Sequence, residues 1–309
     1  MSRGAPSASC VAGTGTEPPT DAPILLLINA MTNQTGGITV RTLGKLVRFR
    51  SDDSRWMHAL RPLWDSLAVE PGSEPDWEIP TYEVKSKDQR HEIRAPGRQP
   101  ISYYDPWLVL FWLRSAVLRH VIADARATLF LHAAVVARGA SGLLLSGPGG
   151  VGKSTLTIEL LRRGWTYSSD DLAPIKADRS DIARFPHPIS IKNLPNHPGY
   201  ETFWAPPQWM PRPTYGFLIP PSVFDVAKDD LQARCLVFPR FKRGVSMRLE
   251  PLTAAHAMTF AARNLAQGSR PTPMSLEMLR GLCSSVMAAQ LTYGSTEDAV
   301  SLLEDFVTQ

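Results

Sequence analysis

The chain has 309 residues, 43% hydrophobic and 20% charged, a composition that belongs to a folded globular protein and excludes a wholly disordered one. Its net charge of +4 is spread over short groups such as Arg162-Arg163 and Arg240-Phe241-Lys242-Arg243, without the clustered basic stripe of a nucleic-acid binder, so no nucleic-acid partner is expected. Cys10, Cys235 and Cys283 are odd in number and widely spaced, and form neither a metal-ligand pattern nor a disulfide framework, which points to a reducing, cytoplasmic compartment. The most apolar stretch, Trp107 to Leu113, is broken by Arg114 far short of the roughly 18 residues a membrane span needs, and the leading segment lacks the basic start and apolar run of a secretory signal. No membrane partner is expected.

In chain order, residues 1–22 are rich in Gly, Ala, Ser, Thr and Pro, and are expected to be a disordered tail. The run Ile24-Leu25-Leu26-Leu27-Ile28 and the segment Ile38 to Phe49, where Val40, Leu43, Leu46 and Val47 mix strand and helix spacing, open a small α+β lobe over 23–104. The polar run Ser51-Asp52-Asp53-Ser54 then precedes a helical face of Trp56, Leu60, Leu63, Trp64 and Leu67. Residues 78–104 read as short strands and turns.

Asp105-Pro106 opens a long helix to about Ala123, with Asp105 as N-cap and Pro106 at the first helical position. Its apolar residues surround much of the circumference, which predicts burial between lobes. Two short apolar strands follow, Leu129 to Ala137 and Gly142 to Ser146, joined by the turn Arg138-Gly139-Ala140. Lys153 to Arg163 is a helix ended by Gly164, and Trp165 to Ser169 a third strand. The Pro-crowded segment 185–224 is expected to be largely loop, and helices over 252–267, 275–291 and 296–307 close the chain. There is no internal repeat. The expected class is α/β: a P-loop core with helices around a mainly β sheet and a helical C-terminal segment (105–309), plus the N-terminal lobe.

The strongest motif is Gly147-Pro148-Gly149-Gly150-Val151-Gly152-Lys153-Ser154, which fits G-x-x-x-x-G-K-[ST] in full. Its glycines let backbone N–H groups approach phosphate oxygens with no Cβ in the way. The helix that follows aims unsatisfied N–H groups and its positive dipole end at the same place. Lys153 offers a full charge to the β- and γ-phosphates, and the Ser154 hydroxyl can ligate Mg²⁺. Gly147 through Ser154, with Thr155 beside them, are therefore the expected ATP-binding residues. An accidental glycine-rich turn is disfavoured because the loop follows an apolar strand and opens a helix, as the motif demands.

Asp170 and Asp171 stand seventeen residues beyond Lys153, at the end of the next strand. Ligands bind outside the carboxyl ends of strands in a parallel α/β sheet, so loop and carboxylates would face one crevice if their strands are neighbours. One carboxylate could then hold Mg²⁺ while the other accepts a proton from an attacking hydroxyl. A solvated Asp-Asp turn is the bland alternative. His132, in Leu131-His132-Ala133-Ala134, is by itself more often a core residue than a catalyst.

Together with Arg163-Gly164-Trp165, Ser169-Asp170-Asp171, the segment Arg184 to Asn193 and Val237-Phe238-Pro239-Arg240-Phe241, these elements resemble the HPr kinase/phosphorylase superfamily, in its HPr-kinase-related branch. The resemblance covers about 129–245. It implies ATP and Mg²⁺ as cofactors, catalytic roles for His132, Lys153, Asp170 and Asp171, with Asp170 as general base, and Ser154 with Asp171 at the metal. It also implies phosphate contacts from the basic loop, with Arg240 and Arg243 as the catalytic cations and Lys242 between them. Lys192, in Pro188-Ile189-Ser190-Ile191-Lys192, carries no assigned role.

The chain departs from that pattern in three ways. It has no recognisable N-terminal domain of the phosphocarrier kinase, His132 is followed by Ala133 where the family has glycine, and the family's metal-binding glutamate has no counterpart. Because relatives include kinases of ribosomal precursor peptides such as lasso peptides, the expected partner is a protein or peptide with a serine hydroxyl. Members of the family often form homo-oligomers, but no interface signature decides this here. The alternatives are a nucleotide-gated binding module, which would use the aromatic stretch Tyr200 to Trp209 as its surface, and a small-metabolite kinase. A GTPase is disfavoured because no Asn-Lys-x-Asp sequence occurs. Reverse, dephosphorylating activity stays open.

Overall fold

The structure, a computed structural model, describes residues 37–308 apart from 71, 73–77, 124–127, 178–180, 193–198 and 267–271. The expected tail, the run Ile24 to Ile28, Cys10 and Asn193 lie outside the described residues.

Residues Ile38–Thr42 (β1) and Lys45–Ser51 (β2) form a hairpin. Leu43 and Gly44 between them take positive φ (47° and 80°), the two-residue turn whose twist matches that of its strands. The mixed spacing over 38–49 thus resolves as two strands. Helix α1 (Ser54–Trp64) is capped by the Asp53 carboxylate, which accepts from the Arg55 N–H, and it buries Trp56, Leu60, Leu63 and Trp64. Strands β3 (Thr81–Lys87), β4 (Arg90–Arg94) and β5 (Ile101–Tyr103) complete a five-stranded sheet in chain order.

Helix α2 (Pro106–Ile122) begins where expected, with Asp105 accepting from the Trp107 N–H at 2.9 Å. Trp107, Leu110, Leu113 and Val117 are buried, as an all-round apolar helix should be, and so is Arg114.

A nine-stranded sheet follows, assembled from β6 (Thr128–Leu131), β7 (Ala133–Arg138), β8 (Ser141–Ser146), β9 (Thr166–Ser169), β10 (Ala173–Lys176), β11 (Asp181–Ile182), β14 (Leu231–Phe241), β15 (Arg248–Pro251) and β16 (Met287–Tyr293). Its order is β6-β10-β11-β14-β8-β7-β9, with β16 on β14 and β15 on β16. Helix α3 (Lys153–Arg162) connects β8 to β9, and α4 (Ala254–Ala262), α5 (Pro273–Ser285) and α6 (Thr296–Val307) complete the chain. The protein is therefore α/β, with a mainly β sheet and several helices. Among the described residues no helix is long and apolar enough to cross a membrane.

Four expectations change. The strand predicted over 129–137 breaks at His132, where the chain leaves β10 and joins β8 and β9. The helix predicted over 275–291 stops at Ser285, and its last residues become β16, because pairing to β14 and β15 overrides the helix preference of Met287-Ala288-Ala289. The segment 185–224 contains a two-stranded sheet, β12 (Ile189–Lys192) with β13 (Gly216–Ile219). Finally, the two tryptophans of that segment pack inward: Trp204 lies against Trp107 and Trp209 against Trp56, at ring-centroid distances of 6.0 and 5.1 Å. They do not form an open surface.

Candidate active site

Strand direction decides what meets. β8 and β9 both run antiparallel to β7, so they point the same way although β7 lies between them and they are not direct neighbours. β14 is parallel to β8, and β16 to β14. The C-terminal ends of these four strands and the start of β7 therefore share one end of the sheet. Five segments converge there: the glycine loop after β8, Asp170-Asp171 after β9, His132 before β7, Phe241 to Arg243 after β14, and Tyr293-Gly294 after β16.

The loop is held from three sides. The Gly147 N–H donates to the His132 carbonyl at 3.3 Å, and the Phe241 N–H to the Val151 carbonyl at 3.3 Å. Gly150 and Gly152 take φ of 84° and 99°, which L side chains rarely adopt. A Cβ on Gly152 would also lie 2.0 Å from the Tyr293 hydroxyl oxygen. The first intrahelical bond of α3 runs from the Leu156 N–H to the Gly152 carbonyl, so the N–H groups of Lys153, Ser154 and Thr155 belong to the orphan donors of the helix start. Lys153 is buried, and its amine donates to the carbonyls of Gly147 (2.7 Å) and Pro148 (2.9 Å). Desolvation lowers its pKa, against the pull of Asp171 and Asp170.

The two carboxylates have different surroundings. Asp170 is wholly buried: Oδ1 accepts from the Ser154 hydroxyl at 3.2 Å, and Oδ2 from the Ser190 N–H at 2.9 Å and from Arg114 Nη2 at 3.5 Å. Burial, then the neighbouring charge of Asp171, push its pKa up to about 6, against Arg114, the Ser190 N–H and Lys153. Asp171 takes φ of 63°, a left-handed conformation uncommon outside glycine, and accepts from Arg114 Nη2 at 3.2 Å. Its Oδ1 lies 3.3 Å from His132 Nε2, which carries the hydrogen when the carboxylate is ionised. Burial pushes Asp171 upward too, but the His132 hydrogen bond and the charges of Arg114 and Lys153 together outweigh it and hold Asp171 below the usual range.

Arg114 was not read as a site residue from sequence, yet it holds both carboxylates and donates through Nε to the Pro188 carbonyl at 2.8 Å. The available signal was its position. A charge set in an otherwise apolar, buried helix must find a carboxylate.

Beside these groups opens a cleft of about 1330 Å³. Gly149, Gly150, Gly152, Lys153, Ser154, Thr155, Asp171 and Arg243 reach it, joined by Ser190, Lys192, Tyr215 and Tyr293. Arg240 is not among the lining residues, since its side chain alternates with that of Phe241, which is. Pro148 and His132 line a smaller adjoining hollow with Arg263 and Asn264, and the Asn264 carbonyl accepts from the His132 N–H.

Mg²⁺ can be tested against these oxygens. Ser154 Oγ and Asp170 Oδ1 are 3.2 Å apart, close to the roughly 3 Å between adjacent ligands of an octahedral ion with bonds of about 2.1 Å. Such an ion normally takes one or two protein oxygens, with phosphate and water completing its shell. Among the described residues no group of three or more His, Cys, Asp or Glu is placed to hold a metal unaided. The pair that fits is Ser154 with Asp170; Asp171 is turned toward Arg114 and His132. No protein-family model matches the chain, and no curated protein matches it.

Proposed function

We propose that the chain is an ATP- and Mg²⁺-dependent kinase of the HPr-kinase-related type, transferring the γ-phosphoryl group to a serine hydroxyl of a protein or peptide. The observation that carries this reading is the convergence of Lys153, Ser154, Asp170 and Asp171 around a glycine loop at one end of the sheet. The acceptor class rests on size and on the resemblance. A cleft of about 1330 Å³ exceeds the roughly 300–1000 Å³ of small-ligand sites, leaving room for a second reactant beside the nucleotide; that this reactant is a protein or peptide is what the resemblance implies.

In the transfer, the acceptor oxygen attacks the γ-phosphorus, the bond from γ-phosphorus to the bridging β-oxygen breaks, and ADP leaves with that electron pair. The loop N–H groups and Lys153 bind the phosphates, the amine exchanging the Gly147 and Pro148 carbonyls for phosphate oxygens. Ser154 and Asp170 would hold Mg²⁺, which would supply charge neutralisation to the phosphates. Asp171 receives the acceptor proton. This reverses the roles implied by the resemblance, for a geometric reason: Asp171 faces the cleft, whereas Asp170 is wholly buried. A weakly basic carboxylate suffices, because the loose transition state demands little proton transfer and much positioning. Arg114 and His132 fix that carboxylate.

The test is incubation of the protein with γ-labelled ATP, Mg²⁺ and a lysate of its source, beside Lys153→Ala and Asp171→Asn controls. A labelled protein or peptide that disappears in both controls supports the kinase. Tight ATP binding with no labelled acceptor overturns it in favour of a nucleotide-gated module.

A further inference from the structure

Strand β12 presents Ser190 and Lys192 two residues apart, hence on one face, and both line the cleft. Neither has a role in the transfer described above beyond the Ser190 N–H that fixes Asp170. The Ser190 side chain is unusual. The residue is 4% exposed, and its hydroxyl finds no hydrogen-bond partner among the described residues. Leaving a buried hydroxyl unpaired is costly, so a group this poorly satisfied beside a cleft calls for a ligand atom.

Lys192 adds the charge. It is exposed at the end of β12 and carries no salt bridge among the described residues. It is also close enough to Lys153 to act on that amine as a like charge. Two ammonium groups that line one cleft, one from α3 and one from β12, repel each other until an anion enters between them. Ser154 and Asp171 line the same cleft.

Resting on the kinase reading, we infer that Ser190 Oγ and Lys192 Nζ are catalytic groups that grip the γ-phosphoryl oxygens together with Lys153. Both add little to the binding of the diphosphate and act on the group in flight. That is where a donor must sit to accelerate transfer rather than merely bind ATP.

The experiment is calorimetric titration of the whole protein with Mg²⁺–ADP, with and without aluminium fluoride, which adds a planar anion at the γ position in the geometry of the phosphoryl group in flight. Wild type should bind Mg²⁺–ADP about tenfold or more tightly with the fluoride present. Lys192→Met should hold its Mg²⁺–ADP affinity within about twofold yet lose most of the fluoride gain; Ser190→Ala should lose part, and Lys192→Arg should keep it. Lys192 is exposed, so these variants are expected to fold, and their melting temperatures check it. An undiminished fluoride gain in Lys192→Met overturns the inference. Equal weakening of ADP alone also overturns it, placing Lys192 at the diphosphate. Wild type that binds Mg²⁺–ADP with no fluoride gain overturns the inference and leaves the nucleotide site standing. Wild type that binds no nucleotide overturns the kinase reading and the inference with it.

Discussion

Asp170 keeps a carboxylate where its charge is disfavoured. Its folded pKa, raised to about 6, lies above the roughly 3.9 of an unfolded aspartate, so proton binding favours the fold. That contribution is complete below about pH 3.9 and is lost as pH rises through 6, amounting to about 3 kcal/mol by pH 8. Asp170→Asn stays neutral, still accepts from the Ser190 N–H, and leaves Arg114 paired to Asp171. The variant should therefore melt higher than wild type at pH 8, with a much smaller difference at pH 4.5, while losing Mg²⁺-dependent transfer. Thermal melts at the two pH values decide this; a gap that does not change with pH means that burial is not what raises Asp170. Arg114→Lys keeps a charge but not the fork that reaches the Pro188 carbonyl and both carboxylates. With less support for the ionised forms of both Asp170 and Asp171, each of which Arg114 favours, the acid limb of the transfer pH–rate profile should move to higher pH. An unmoved limb would remove Arg114 from the positioning of Asp171. The Asp pair was legible from its spacing to Lys153. The division of labour within it was not, because that depends on Arg114 and Ser190, contributed by α2 and β12 and separated in sequence from Asp170 by 56 and 20 residues.

At the scale of elements, the glycine loop was readable because each of its positions has a local conformational task. What surrounds it was not, since sheet order is a non-local property. β7 lies between β8 and β9, and a residue run that favours helix becomes β16 only through its partners. That misread strand matters to the loop, for β16 ends in Tyr293, whose hydroxyl occupies the space a Cβ on Gly152 would need. Gly152→Ala must therefore overcome both the clash and a φ of 99°, the backbone term alone costing about 1–3 kcal/mol. It should abolish Mg²⁺–ADP binding. Adding Tyr293→Phe removes the nearest atom and should restore part of the lost melting temperature, but not all, because the backbone strain persists. Full restoration would show that the clash alone matters, and none that the strain dominates.

Across the whole molecule, one apolar cluster joins the two sheets. It runs from Val40, Phe49 and Trp56 of the N-terminal sheet and its helix, through Trp107 and Leu110 of α2 and Phe217 of β13, to Leu156 of α3 and Leu303 of α6. The two sheets accordingly belong to one compact unit, Gly36–Gln309. Helix α2 is the hinge of this arrangement: its apolar residues fill the shared core while Arg114, on the same helix, holds the carboxylates. Stability of the N-terminal sheet and integrity of the site should therefore be coupled. Trp56→Ala, at a fully buried side chain beside a different sheet from the site, should cost about 3–5 kcal/mol. If the core is cooperative, that loss appears in the whole molecule. Unfolding in denaturant should then remain a single transition, shifted to lower denaturant, with tryptophan fluorescence and loss of bound Mg²⁺–ADP following the same curve. A fragment beginning at residue 105 should not fold, because it would expose the side of α2 that packs on the first sheet, where Trp112 lies 6.3 Å from Tyr82 between ring centroids. Two separated transitions, with nucleotide binding surviving the first, would instead mean that the glycine-loop sheet stands by itself and that Arg114 is held in place without help from residues 37–104.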